Sequence, residues 1–245
     1  MRRLTAVMAV SLAACGFSSQ ATSDGGSGGG GDDGGGGSGS DAAIDAGVDA
    51  PPPCQKNLLT PGGGGDVTAQ GWHIAISQPA TLAYAADYVS LHTSTTGSSL
   101  TGGRLLLYYP GAVESGKAFR LEVVMLIEQV NAHNPFDSAA AIMGAFTLPV
   151  GTPEERSQML YIDADQYGWA DDADDRSLKA GNGYRTYLLA VDAAGNAQVT
   201  IDGTGSLSRV NFTINGTIAV GDQTNDAKLD STLRIKSVTL LCPPS

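Results

Sequence analysis

Basic residues are scarce in this chain, and that scarcity sets the first boundary on what it does. Its 245 residues hold 14 Lys and Arg against 25 Asp and Glu, a formal net charge of −11. Beyond the N-terminal leader, Lys and Arg are scattered singly, so the attraction that a phosphate backbone demands is missing and a nucleic-acid partner is excluded. Nucleophile and metal chemistry are equally thin. There are 3 His and 3 Cys, with no Gly-x-Ser-x-Gly and no His-Glu-x-x-His, which removes the nucleophile elbow and the zincin pattern. Aromatic residues make up 6% of the chain, with only 2 Trp. No segment carries a helical stripe, and the apolar run at the N-terminus is too short to span a bilayer as a helix.

What is present begins with that run. Arg2-Arg3 precedes an apolar stretch from Leu4 to Ala14, and small residues stand ahead of Cys15. This is the pattern of a secretory signal. Leu12-Ala13-Ala14-Cys15 resembles the lipobox of bacterial lipoproteins, which implies a signal peptide over 1–14, acylation of Cys15 and a membrane partner. The alternative is an ordinary signal peptide cleaved elsewhere. With about 0.8 kcal/mol per buried methylene, the two or three acyl chains implied by the resemblance hold a protein on a membrane where one short chain does not. Gly16, rather than Asp, follows the cysteine, and by analogy with lipoprotein sorting this implies the outer membrane or cell surface.

Residues 15–53 then read as the tether. Past Cys15 they are mostly Gly, Ser, Asp and Ala with almost no large apolar side chains, and such a segment cannot bury enough surface to offset its chain entropy. Asp24, Asp32, Asp33, Asp41, Asp45 and Asp49 meet no basic residue, so self-repulsion extends the segment beyond a random-coil span on the order of 35 Å. Pro51-Pro52-Pro53 stiffens its end.

Residues 54–245 are long enough for one domain with a full core. With Cys15 committed to lipid, Cys54 and Cys242 remain at the two ends of this domain, and in an oxidising compartment they are expected to form a disulfide. Strand candidates run over Val67–Ser77, Tyr88–Ser94, Arg104–Tyr109, Phe119–Val130, Ala139–Leu148 and Gln158–Asp163. They are rich in Val, Ile, Leu, Tyr and Thr, and most are separated by Gly, Pro, Ser or Asn. From Tyr184 the turns are nearly spelled out. Tyr187, Leu189 and Val191 alternate with Thr186, Leu188 and Ala190; a turn follows at 192–196; Val199 and Ile201 resume the alternation before Asp202-Gly203. After a polar loop, Thr217–Val220 ends at a turn over 221–226. Thr232–Leu240 closes the chain, with Leu233 and Ile235 on one face and Arg234 and Lys236 on the other. Many strands without interleaved helices predict an all-β, two-sheet antiparallel sandwich.

The run from Tyr184-Arg185-Thr186-Tyr187 through Val191-Asp192, Val199-Thr200-Ile201-Asp202-Gly203 and Ile218-Ala219-Val220-Gly221-Asp222 to the last strand resembles concanavalin A-like jelly-roll domains. These are the laminin-G and lectin/glucanase group. The resemblance implies a jelly roll whose relatives include carbohydrate binders, glycosidases and lyases, so the site has to decide among them.

Three functions compete. A glycosidase of this group resembling the laminarinases would carry Glu-x-Asp-x-x-Glu, which is absent. Glu122 and Glu128 share parity on their strand but stand about 20 Å apart, too far for the roughly 5–9.5 Å of paired glycosidase carboxylates. Asp163 and Asp165, about 7 Å apart if extended, would suit an inverting pair or lie in a turn. A lyase would need a Tyr or His base beside Arg or Lys, and His73, His92, His133, Arg104 and Arg120 show no spacing that joins them. The expectation is therefore a carbohydrate-binding domain without catalysis. Trp169, flanked by Tyr167, Asp171 and Asp172, is the place where an aromatic and acceptors converge in sequence; Trp72 is a second candidate. Either tryptophan is a stacking platform or part of the core. A neutral polysaccharide is the better match for an acidic protein. A structural envelope protein without a small ligand is the third reading.

Calcium is the one cofactor the sequence raises. Asp163-Ala164-Asp165-Gln166-Tyr167-Gly168, with Asp171 and Asp174, begins like a calcium loop, but Tyr167 occupies the fifth position and no helices flank it. A calcium ion in another geometry would draw on Asp171, Asp172, Asp174 and Asp175, or on Asp222, Asn225 and Asp226, which the resemblance to laminin-G and legume-lectin domains implies at a sheet edge. A solvated acidic loop is the alternative.

Overall fold

The computed structural model describes residues 54–62, 65–77, 80–93, 104–131, 140–146, 158–163, 166–170, 175–178, 183–223 and 230–243. The chain divides into two units, Met1–Gly47 and Val48–Ser245, and all described residues belong to the second. The first seven strands are β1 (Lys56–Leu59), β2 (His73–Ser77), β3 (Ala80–Tyr84), β4 (Val89–Thr93), β5 (Arg104–Tyr109), β6 (Phe119–Asn131) and β7 (Ala140–Met143). The next four are β8 (Met159–Ile162), β9 (Gln166–Trp169), β10 (Asp175–Ser177) and β11 (Arg185–Val191). The last four are β12 (Ala197–Ile201), β13 (Thr204–Arg209), β14 (Ile218–Asp222) and β15 (Asp230–Leu241).

They form two antiparallel sheets. The eight-stranded sheet runs β13-β12-β11-β6-β15-β4-β3, with β1 also paired to β15; the seven-stranded sheet runs β10-β9-β8-β7-β14-β5-β2. Between the sheets lies one core that includes Leu91, Leu105, Leu107, Leu121, Val123, Met125, Ile142, Leu160, Tyr187, Leu189, Val191, Val220, Leu233 and Ile235. The period-two pattern read from the sequence is the cause: Tyr187, Leu189 and Val191 on β11 and Leu233 and Ile235 on β15 turn inward, and after a register shift between Ile235 and Ser237 the inward residues of β15 become Val238 and Leu240. The architecture is the expected jelly-roll sandwich.

The turns are chemically specified. At 192–196, Asp192 Oδ1 accepts from the backbone N–H groups of Ala194 (2.9 Å) and Asn196 (2.8 Å), and Gly195 supplies the left-handed residue at φ 79°. Ile201 pairs with Thr204, so Asp202-Gly203 is a two-residue hairpin loop with both φ angles positive, 52° and 71°. That is the type I′ geometry which favours Asp-Gly. Asp202 also accepts from the Thr186 N–H at 2.9 Å and from Arg185 Nη1 at 3.1 Å, tying the loop back to β11.

Several expected boundaries shift. The stretch beginning at Val67 opens as a 3-10 turn over Val67–Gln70, because Asp66 caps it through the Thr68 N–H and Gly71, at φ 94°, closes it; the strand starts only at His73. The expected polar loop after Gly203 contains β13, and the acidic segment contains β9 and β10. The turn expected from Gly221 begins later, since β14 continues through Asp222.

Cys54 and Cys242 are bonded, as expected, with Cα atoms 4.9 Å apart. The reason is register. Lys56 lies opposite Leu240 and Asn57 opposite Thr239 on the β1–β15 ladder, so two residues further out the same ladder sets Cys54 opposite Cys242. The cross-link closes a sequence separation of 188 residues.

Candidate functional site on the open face of the eight-stranded sheet

The aromatic platform expected around Trp169 is part of the core. Tyr167 and Trp169 lie opposite Ile162 and Leu160 of β8 and point between the sheets, leaving them 5% and 1% exposed. The Trp169 indole N–H donates to the Ser208 carbonyl at 3.3 Å, the Arg209 guanidinium sits 5.0 Å from its ring centroid, and Phe212 packs at 6.1 Å. Trp72 is 2% exposed, donates from its indole to the Leu58 carbonyl at 2.8 Å, and meets Tyr109 edge-on at 5.4 Å. Neither ring has a face free for a sugar. Asp171 and Asp172 lie outside the described residues.

Of the expected calcium set Asp222, Asn225 and Asp226, Asp222 is described and the other two lie outside the described residues; of Asp171, Asp172, Asp174 and Asp175, Asp175 opens β10 and the other three lie outside. The inward parity of Asp222 on β14 turns its carboxylate across the sandwich, where it is 1% exposed. Its Oδ2 accepts from Thr93 Oγ1 at 2.6 Å and Ser231 Oγ at 3.0 Å. An oxygen that faces two O–H donors is poorly placed for a cation. Among the described residues no three His, Cys, Asp or Glu side chains gather.

The two outward faces of the sandwich differ. On the seven-stranded sheet, Leu106, Ala141, Met143, Met159, Tyr161 and Ala219 form a second apolar cluster that is excluded from solvent. The centre of that face is therefore no open groove. At its β2–β5 edge the exposed His73 stacks on Tyr108 at 5.2 Å, and Tyr108 leans on the buried Phe146 at 5.1 Å.

The outward face of the eight-stranded sheet is solvent-accessible and mixed: half-buried Val124, Leu126 and Leu188 share it with charged and aromatic side chains. Arg234 of β15 pairs bidentately with Glu128 of β6, Nε to Oε2 at 2.8 Å and Nη2 to Oε1 at 2.6 Å, with the two side chains 32% and 40% exposed. The same guanidinium lies 4.7 Å from the ring centroid of Tyr88, and Lys236 Nζ lies 5.5 Å from that of Tyr184. Further along β15, Thr232 Oγ1 is hydrogen-bonded to Nδ1 of the exposed His92 at 2.9 Å.

Among the described residues, the groups on this face do not pair for proton transfer. Glu128 is committed to Arg234, while Glu122, six residues back on β6, stands about 20 Å away. Tyr184 is held above the usual tyrosine range by burial and then by the negative charge of Asp87, the wrong direction for a base. Arg234, already paired with Glu128, is no free counter-charge for a uronate. Elsewhere, Asp163 is buried and its N–H donates to the Gln166 carbonyl at 2.8 Å across the β8–β9 turn, and Asp165 lies outside the described residues. His73 and His92 lie on different sheets, and His133 lies outside the described residues.

No protein-family model and no curated protein sequence matches the chain. Solved structures do. A carbohydrate esterase from the Shiga toxin-encoding bacteriophage phi24B aligns with TM-score 0.52 at 15% identity, over 78% of this chain and 100% of its own. The exoplasmic/lumenal domain of VIP36 in its Ca2+/Man2-bound form aligns with TM-score 0.52 at 11% identity, over 78% of this chain and 90% of that one. The carbohydrate recognition domain of Emp46p, metal-free, gives TM-score 0.50 at 11% identity, over 77% and 97%. At such identities the likeness fixes architecture alone. The chain has the concanavalin A-like jelly-roll fold.

Proposed function

We propose that this protein binds carbohydrate without cleaving it and is held at the cell envelope by lipid on Cys15. The observation that carries the reading is the solvent-open sheet face where tyrosine rings, a planar guanidinium and carboxylates stand side by side, on the fold that the VIP36 and Emp46p domains share. Sugars present apolar C–H faces and rims of hydroxyls, and such a face meets both. The sugar bound in the VIP36 domain belongs to that protein; it supports the class of ligand. The leader and lipobox support the anchor, and the 15–53 spacer gives the domain reach.

The test uses the full-length protein in detergent on immobilised mannan, laminarin, xylan and alginate, each with calcium and with chelator. Retention on a neutral polysaccharide, with no new reducing ends, unsaturated products or released acyl groups, is expected. Product formation would make it an enzyme. Retention on none would favour the structural reading, for which the covered outward face of the seven-stranded sheet is the specific support. Cys15→Ser is expected to move the protein from the membrane pellet to the soluble fraction; unchanged fractionation would remove the anchor.

A further inference from the structure

The middle of the eight-stranded sheet brings together residues that no local sequence pattern joins. Tyr88 immediately precedes β4 and Tyr184 immediately precedes β11, and in the sheet β15 and β6 lie between those two strands. Three interstrand spacings separate the two backbones, about 14 Å, and the Arg234 guanidinium and the Lys236 ammonium, both from β15, lie over the rings of Tyr88 and Tyr184 respectively. Glu128, bonded to Arg234, and the exposed Asp87, which directly precedes Tyr88 in the chain, bring the negative charge to this patch.

The chemistry of this patch is balanced. Arg234 and Lys236 carry two positive charges, Glu128 and Asp87 two negative ones, so the patch exerts little net pull on a polyanion. The Arg234 Nε and Nη2 groups face Glu128, while Nη1 has no acceptor in the protein among the described residues. Glu128 and the Tyr88 ring fix the plane of the guanidinium before any ligand arrives, which lowers the ordering cost of a hydrogen bond to it. The hydroxyls of Tyr88 and Tyr184 both donate and accept. A pyranose hydroxyl also does both, and the sugar's C–H face suits the side of a tyrosine ring away from its cation. A phosphate or sulfate would instead meet two carboxylates.

We propose that the patch formed by Tyr88, Tyr184, Arg234, Glu128, Lys236 and Asp87 is a site for uncharged sugar residues, on the side of the sandwich away from the seven-stranded sheet. The proposal rests on the carbohydrate-binding reading above and names where that binding occurs and what charge of glycan it selects.

The experiment measures affinity of the full-length protein for mannan and laminarin, with alginate as the anionic comparison, in Arg234→Gln, Tyr184→Ala, Tyr184→Phe and His73→Ala. Circular dichroism and melting temperature report folding. Loss of a charge-assisted hydrogen bond predicts weakening of about tenfold or more for Arg234→Gln. Tyr184→Ala should weaken binding similarly, Tyr184→Phe less because its ring remains, and His73→Ala on the other sheet should leave affinity unchanged. Neutral-glycan binding that survives Arg234→Gln and Tyr184→Ala but is lost in His73→Ala would overturn the site while leaving the carbohydrate reading intact. Preference for alginate over both neutral glycans would overturn the charge selectivity. Binding to none of the three probes by the unaltered protein would overturn the reading and the site together.

Discussion

Replacing Trp169 with alanine separates a core tryptophan from a ligand platform in one experiment. The ring is 1% exposed, packs on Phe212 and lies under the Arg209 guanidinium, while its indole N–H satisfies the Ser208 carbonyl. Truncating so large a buried side chain costs about 3–5 kcal/mol when the surroundings only partly collapse. Loss of the indole donor at Ser208 adds to this. For a domain of this size, 1 kcal/mol lowers the melting temperature by about 2–4 °C, so a fall of about 6–20 °C is expected. Urea unfolding followed by circular dichroism reads the same loss as a lower midpoint at unchanged slope. Glycan affinity measured well below the melting transition should be preserved. A melting temperature within about 2 °C of the unaltered protein, accompanied by loss of glycan retention, would refute the placement of Trp169 in the core.

Cys242→Ser should reduce unfolding free energy by about 2–5 kcal/mol, the upper end being the loop-entropy value for a closure of this length; an unchanged urea midpoint would contradict that. Gly221→Ala should destabilise more than an ordinary mid-strand glycine replacement, because at φ 140° an added Cβ would strike the Leu105 carbonyl oxygen and press on the Leu91 side chain. A neutral effect on melting would show that the β14–β5 contact yields easily. Asp192 and Tyr187 contribute to the acid and alkaline limits. The Asn196 side chain, then backbone N–H groups, hold the Asp192 carboxyl below its ordinary 3.8, so that contribution is present above this value and is lost as pH falls through the lowered one. Burial raises the Tyr187 hydroxyl above its ordinary 10.0, so its contribution is present below pH 10 and is lost as pH rises further. Asp192→Asn should therefore make the acid limb of a stability–pH profile shallower, with the hydrogen-bonded Asp66 carboxyl, also held below its ordinary value, supplying part of what remains; an unaltered acid limb would exclude Asp192 as a contributor.

The fold was legible because alternation and turn chemistry act locally. Arg104–Tyr109 is β5 as read, and Tyr187, Leu189 and Val191 point inward as their spacing implies. β9 escaped because a four-residue strand with Gly168 at its centre sits among aspartates, although Tyr167 and Trp169 already share the parity of inward residues. Asp66 and Gly71 were the available signals for the 3-10 turn and were overridden by the apolar run that follows. Half of the candidate site was visible: Arg234 and Lys236 alternate with Leu233 and Ile235, and Glu128 has the parity of Glu122. What joins them to Tyr88 and Tyr184 is sheet order, β4-β15-β6-β11, and pairing across more than a hundred residues leaves no spacing to read.

The most direct test of carbohydrate binding at the open sheet face is a backbone amide NMR titration of the 15N-labelled protein with a short neutral oligosaccharide from whichever glycan it retains. Perturbations concentrated at Tyr88–Ser90, Glu128, Tyr184–Arg185 and Arg234–Lys236, with His73 and Tyr108 unmoved, are the predicted result. Shifts confined to β2 and β5, or no shift at saturating sugar, would contradict it.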